Sequence, residues 1–292
     1  MSKLKEKLEK GQFVITGEIG PPKGVNLEKC LNDAETLRDY VTAINVTDQQ
    51  SAVLRIGSMA VAARLVQRGL EPVYQLTCRD RNRLALQSDL LSAWALDIQN
   101  VLCITGDHPT LGDHKEAKPV YDLDSVQLLH VAKGLNQGYD MADHELDSSP
   151  DFFLGAVVTP GLDPVEPQVI KMKKKIDAGC RFFQTQAVYS PEKFEDFANK
   201  TRSFGVPVIA GVVILKSAAM AKYMNENVAG ISVPDSLISE MADTPKEDRK
   251  KKAVEVTARI IRQVKPLCQG VHIMPLGWDE LVPQIIKEAE LS

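Results

Sequence analysis

The sequence predicts a (β/α)8 barrel, on three observations. Short β-rich apolar runs alternate with longer helix-periodic segments eight times over 292 residues. The runs are apolar, as parallel strands covered by helices must be. No Gly-x-Gly-x-x-Gly follows the first run, which argues against a dinucleotide-binding open sheet. An open doubly wound sheet is the alternative, but eight units close most economically into a barrel. Barrels of about 250 residues are routinely one domain, so residues 1–292 are expected to form a single barrel domain.

The first strand, Phe13–Thr16, runs into Gly17-Glu18-Ile19-Gly20-Pro21-Pro22. Proline lacks an N–H and fixes its own φ, so the ladder stops there and leaves Glu18 near a rigid exit. Leu27–Asp39 has apolar residues at three- and four-residue spacing and reads as a helix. The same two signals give strands Ala43–Val46, Pro72–Thr77, Asn100–Ile104, Phe152–Val158, Arg181–Thr185, Val206–Val212 and Gly270–Met274. They give helices Gly57–Gln67, Arg81–Leu96, Asp124–Leu135, Pro164–Ile176, Pro191–Ser203 and Ser217–Glu226. An extra helical stretch, Ser236–Val264, precedes the last strand, and Trp278–Glu290 closes the chain. Two connections, Asp107–Pro119 and Asn136–Asp151, exceed the usual two to six residues and read as functional or mobile.

Strand C-terminal ends of a barrel share one mouth. Six consecutive ends here are polar: Glu18; Asn45 with Thr47-Asp48-Gln49-Gln50; Gln75 with Thr77-Cys78-Arg79-Asp80-Arg81; Thr105-Gly106-Asp107-His108; Thr159; and Gln184-Thr185-Gln186. Ends seven and eight, near Lys216-Ser217 and Pro275-Leu276-Gly277-Trp278, are less polar. Local roles account for some of these groups. Asp80 or Asn82 can cap the third helix and Asp124 the fourth, and Arg79 can pair with Asp80. Six polar ends in a row exceed what capping requires and describe a mouth that hydrogen-bonds a large polar ligand.

The composition bounds the partners. At 44% hydrophobic, 25% charged and a net charge of −4, the chain is an ordinary globular one with no electrostatic case for nucleic acid or anionic membrane. Of the two basic runs, Lys171–Lys175 and Arg249–Lys252, the second reads as a solvated helix face. Five scattered cysteines without a Cys-x-x-Cys argue for reduced thiols in the cytoplasm. Residues 1–12 lack the apolar core of a signal peptide, and no stretch reaches the roughly 20 apolar residues that span a bilayer. Asp107, His108, Asp113 and His114 have no fixed ligand spacing, so no metal is expected.

The strand-end motifs Gly17-Glu18…Pro21-Pro22, Asn45-Val46-Thr47-Asp48, Gln75-Leu76-Thr77-Cys78, Thr105-Gly106-Asp107, Asp177-Ala178-Gly179 and Thr185-Gln186 carry a resemblance. The chain resembles the methylenetetrahydrofolate reductases over essentially its whole length. Gln75–Arg83 is similar to a bacterial branch that includes modules fused to methyltransferases and the reductases of acetogenic anaerobes. The resemblance implies flavin-dependent reduction of 5,10-methylenetetrahydrofolate to 5-methyltetrahydrofolate. That reaction serves one-carbon metabolism, methionine biosynthesis or the Wood–Ljungdahl pathway. It implies Glu18 as the general acid at N10, a role that needs a desolvated carboxyl group. It implies Asp107 between flavin and pterin, stabilising a cationic iminium and tuning the flavin. Gln186 is the implied folate hydrogen-bonding partner. The implied flavin positions are Thr47, Asp48, Gln75, Thr105, Gly106, Asp107, Tyr121, Asp122, Thr159, Lys174 and Lys175.

The departures lie on the cofactor side. A flavin-contacting histidine is Gln75 here, an arginine is Thr105, a tyrosine is Thr159, and a late-strand arginine is Trp278; Met220 stands near the place of a stacking aromatic ring. FAD and FMN therefore both remain open, as does a reductant other than free NAD(P)H. The resemblance extends to a homo-oligomer, to a small zinc-binding partner subunit and to electron-transfer proteins. Two other readings stand beside the reductase: a folate- or flavin-binding subunit that turns over only with a partner chain, and a flavin-free pterin methyltransferase barrel.

Overall fold

A computed structural model describes residues 1–228 and 230–291. Eight parallel strands close into a barrel in sequence order: β1 (Val14–Ile19), β2 (Ala43–Val46), β3 (Pro72–Thr77), β4 (Asn100–Ile104), β5 (Phe153–Val158), β6 (Phe182–Ala187), β7 (Val208–Val213) and β8 (Gly270–Met274). The closing pair sets Thr16 against His272. Around the barrel lie α2 (Glu28–Thr36), α3 (Ser58–Gln67), α4 (Arg83–Ala95), α5 (Ser125–Asn136), α6 (Glu166–Asp177), α7 (Pro191–Thr201), α8 (Ala218–Asn227), α9 (Asp235–Ala242), α10 (Arg249–Val264) and α11 (Val282–Glu288). The expected architecture is the observed one. Among the described residues no helix is long and apolar enough to cross a membrane.

Period-two alternation sorts the strand side chains into two cores. Outward residues such as Ile44, Tyr74, Leu76, Val101, Phe183 and Ile273 pack under the helices. Inward residues at the strand starts, including Val14, Ala43, Val73, Leu102, Phe153, Phe182 and Ile209, form a separate plug. Phe153 and Phe182 stack there at 4.9 Å. The plug is capped by Leu4 and Leu8 of α1 (Lys3–Glu9), a helix the Lys/Glu-rich N-terminus conceals. One barrel end is thus largely filled with hydrocarbon, with Asn100 as a buried polar exception that donates to Glu71 and the Pro72 carbonyl, and most polar inward residues lie toward the other end.

Differences from the sequence reading are local. β1 extends three residues further, so Glu18 lies within the strand instead of beyond it. The stretch read as one helix, Ser236–Val264, is two, because Pro245 has no N–H for a continuous ladder. Asn82 caps α4, and Asp124 caps α5 in a reciprocal box with Gln127. The five thiols are free and buried; burial pushes Cys30 and Cys268 up to about 11 and Cys78 and Cys180 up to about 12.

Candidate active site

A cavity of about 840 Å³ opens at the strand C-terminal ends. Ten of the expected site residues line it: Glu18, Thr47, Asp48, Gln75, Thr105, Gly106, Asp107, Thr159, Lys175 and Gln186. Each comes from the end of β1 to β6 or from α6. Three others do not line it. Tyr121 lies behind the wall, where its hydroxyl donates to the carbonyls of Gly106 (3.2 Å) and Asp107 (3.1 Å). Asp122 is engaged by the Arg83 guanidinium and backbone N–H, which hold its carboxyl down at about 2. Lys174 is exposed on α6. Residues four apart share a helix face, so Lys171 and Lys175 point inward together and Lys174 turns away.

Glu18 is 8% exposed and ends a buried hydrogen-bond chain across the barrel. Its Oε2 is 3.4 Å from His272 Nε2, and His272 Nδ1 is 2.9 Å from Thr16 Oγ1. Gln184 Nε2 donates to Thr16 Oγ1 at 3.4 Å and to Asn45 Oδ1 at 3.1 Å, while Asn45 Nδ2 donates to Gln184 Oε1 at 2.6 Å. Two proton arrangements satisfy the link. Thr16 O–H can donate to Nδ1 while Nε2–H donates to a Glu18 carboxylate. Alternatively, Nδ1–H donates to Thr16 and a protonated Glu18 donates to Nε2. Glu18 can hold or release a proton without losing its partner.

His272 is not among the expected site residues, because the less polar end of strand eight draws no attention to a residue inside the strand. Its signal was parity: it lies two residues before Met274 on the inward face, opposite Thr16 across the closing pair.

The opposite rim is built on Asp107. Its Oδ2 accepts from the Ser51 N–H at 3.1 Å. The turn that presents this N–H holds Gln49, Ser51 and Ala52 at φ 48°, 57° and 56°. Such left-handed conformations cost about 1 kcal/mol or more each outside glycine. Arg79, 2% exposed, ties the turn down by donating to the carbonyls of Gln49 and Asp107, both at 3.3 Å. Gly106 sits at φ 94°, and a Cβ there would lie 3.1 Å from Arg79 Cβ, so only glycine lets the wall pass at this point.

Asp48 is a strut. Its buried carboxylate accepts from Thr77 N–H (3.0 Å), Thr77 Oγ1 (2.8 Å) and Arg81 (2.8 Å). Lys175 donates to the Val157 carbonyl at 2.5 Å, and burial lowers its amine from 10.5 to about 8. Asp113 is engaged by Lys23 and His114, away from any ligand cluster. Among the described residues no three His, Cys, Asp or Glu side chains gather as a metal site.

Residues 3–290 match the sequence profile of the family described as methylenetetrahydrofolate reductase. The chain belongs to the methylenetetrahydrofolate reductase family. Methylenetetrahydrofolate reductase 2 of Schizosaccharomyces pombe is 25% identical over 99% of this chain and 47% of its own length. The 5,10-methylenetetrahydrofolate reductase of Salmonella typhimurium is 25% identical over 82% of this chain and 78% of its own length. The chain thus spans about half the length of the fission-yeast relative, and more of the bacterial one. Among solved structures, an uncharacterized protein from Clostridium thermocellum that binds two copies of 5-methyl-5,6,7,8-tetrahydrofolic acid superposes with a TM-score of 0.65. The two are 18% identical, over 99% of this chain and 98% of the other. A 2,3-dimethylmalate lyase also superposes, at TM-score 0.53 and 12% identity, so the likeness to solved structures speaks for the barrel and not for a reaction.

Proposed function

We propose that this chain reduces 5,10-methylenetetrahydrofolate to 5-methyltetrahydrofolate with a bound flavin. The observation that carries the reading is Glu18, buried in the cavity of a reductase-family barrel and joined to His272 on a polar chain.

The cavity fits a flavin. Its volume lies within the range of cofactor pockets. Leu102, Ile104 and Val157 supply an apolar wall, and Gly106 lets the β4 exit pack closely against Thr77 and Arg79. Gln75, Thr105 and Thr159 would hold polar ring edges and ribityl oxygens. Lys175, with Lys171 in place of Lys174, would hold a phosphate. The bound flavin would supply hydride to the one-carbon unit.

The chain's own residues do the rest. Glu18 delivers a proton to N10 of the substrate, which opens the five-membered ring to a 5-iminium cation. His272 Nε2 keeps the carboxyl group oriented in both protonation states. Asp107, steadied by the Ser51 N–H, faces the positive charge that develops on the substrate. Gln186 hydrogen-bonds the pterin.

The test is to extract and weigh the flavin of the purified protein, then to add 5-methyltetrahydrofolate without oxygen. Bleaching of the flavin band is expected. A protein that carries no flavin and takes up neither FAD nor FMN sinks the proposal. Reduction by NADH or NADPH alone then separates a free-standing enzyme from one fed by a partner chain.

A further inference from the structure

Three lysines line the cavity without a carboxylate partner among the described residues: Lys171, Lys175 and Lys216. The first two stand on α6, beyond β5. Lys216 stands apart from them, beyond β7. Its Nζ donates to the Leu276 carbonyl at 2.5 Å, and Leu276 presents that carbonyl from a left-handed φ of 49°. The Trp278 ring lies 5.0 Å from the same ammonium and holds the side chain from behind. Lys250 also approaches this ring, at 5.7 Å, but its charge is matched by Glu280 at 2.7 Å. Lys216 has only a neutral partner. Burial draws its amine below the usual lysine range, while Asp279 and Glu280 push the other way from a distance. A half-buried cation with spare N–H donors at a cavity edge is built to meet an anion.

Along β8 and its exit the order is His272, which meets Glu18, then Met274, which pairs with Val213, then Leu276, whose carbonyl meets Lys216; Val213 and Met274 line the cavity together with Met220 and Met224. Polar, then apolar, then cationic is the order in which a folate presents its pterin, its aminobenzoyl ring and its glutamate carboxylates. We propose that Lys216 takes a carboxylate of the glutamate tail, so that the site selects pteroylglutamates over tail-less pterins. This inference rests on the functional reading above and adds the residue that reads the tail.

The test pairs a truncated ligand with a truncated charge. Flavin-loaded protein is titrated calorimetrically with 5-methyltetrahydrofolate and with 5-methyltetrahydropteroate, which lacks only the glutamate. The unmodified protein is expected to bind the first about tenfold more tightly, as one charge-assisted contact allows. Lys216→Gln removes that preference by weakening only the tailed ligand, and Lys216→Arg keeps it. A preference that survives Lys216→Gln overturns the proposal. So does equal weakening of both ligands, or an unmodified protein that does not distinguish them. Failure of the unmodified protein to bind either ligand would instead overturn the functional reading itself.

Discussion

Replacing Glu18 by Gln is the most direct probe of the chemistry. The amide has the carboxyl group's shape, and its oxygen and NH2 can meet His272 Nε2 in either tautomer, so the 3.4 Å contact survives. Folding stability should therefore move by less than about 1 kcal/mol. What is lost is the transferable proton. General acid catalysis contributes about a hundred- to ten-thousandfold, which is about 3–5 kcal/mol on the barrier. The assay is stopped-flow: flavin-loaded protein is reduced with dithionite and mixed with 5,10-methylenetetrahydrofolate, and flavin reoxidation is followed. Flavin affinity and the urea midpoint are measured alongside. Loss of at least a hundredfold in the reoxidation rate, with flavin retained, is expected. A rate within about tenfold of the unmodified protein would remove Glu18 from the acid role and refute the reasoning from its buried chain.

Asp107→Asn removes the charge that the Ser51 N–H steadies; flavin potential and folate affinity should shift together, and an unchanged potential by redox titration would separate Asp107 from the flavin. Gly106→Ala places a Cβ 3.1 Å from Arg79 Cβ and 3.2 Å from Thr77 Cβ at φ 94°, and should cost about 1–3 kcal/mol by urea denaturation, with weaker flavin binding. Lys175 yields a pH signature. Its amine falls from 10.5 to about 8 on folding, so between these values the unfolded chain binds more protons and this group's contribution to stability rises with pH. The penalty at pH 7 is about 3 kcal/mol in order of magnitude. Lys175→Met should raise the denaturation midpoint of flavin-free protein at pH 7 and flatten the rise from pH 8 to 10; parallel pH profiles for the two proteins would contradict it.

Much of this was legible in the chain because strand ends announce themselves locally. Gly20-Pro21-Pro22 stops β1 just after Glu18, and Thr105-Gly106-Asp107 stops β4, so the sequence alone places two residues nearly a hundred positions apart at one mouth. Three of the expected site residues stand outside the cavity for reasons of geometry. Lys174 and Lys175 are adjacent in sequence, yet the helical turn of about 100° per residue sends only one inward, with Lys171 beside it. Tyr121 and Asp122 follow the cavity loop closely but serve its back and its surface. The helix Lys3–Glu9 carries little sequence signal because only Leu4 and Leu8 mark its buried face.

By itself the sequence determined the barrel, its strand order, the polar end of each of the first six strands and the family. These follow from period, punctuation and short motifs, which are properties of neighbouring residues. Only the tertiary structure decided that Glu18 has a partner. His272 is 254 residues away and becomes its neighbour only when β8 closes against β1. The closed ring likewise brings Gln184 to both Thr16 and Asn45, and the β8 exit brings Leu276 to Lys216. A closed ring of strands juxtaposes residues by register and not by sequence distance, so the partners of a buried carboxyl group cannot be read from the segment that carries it.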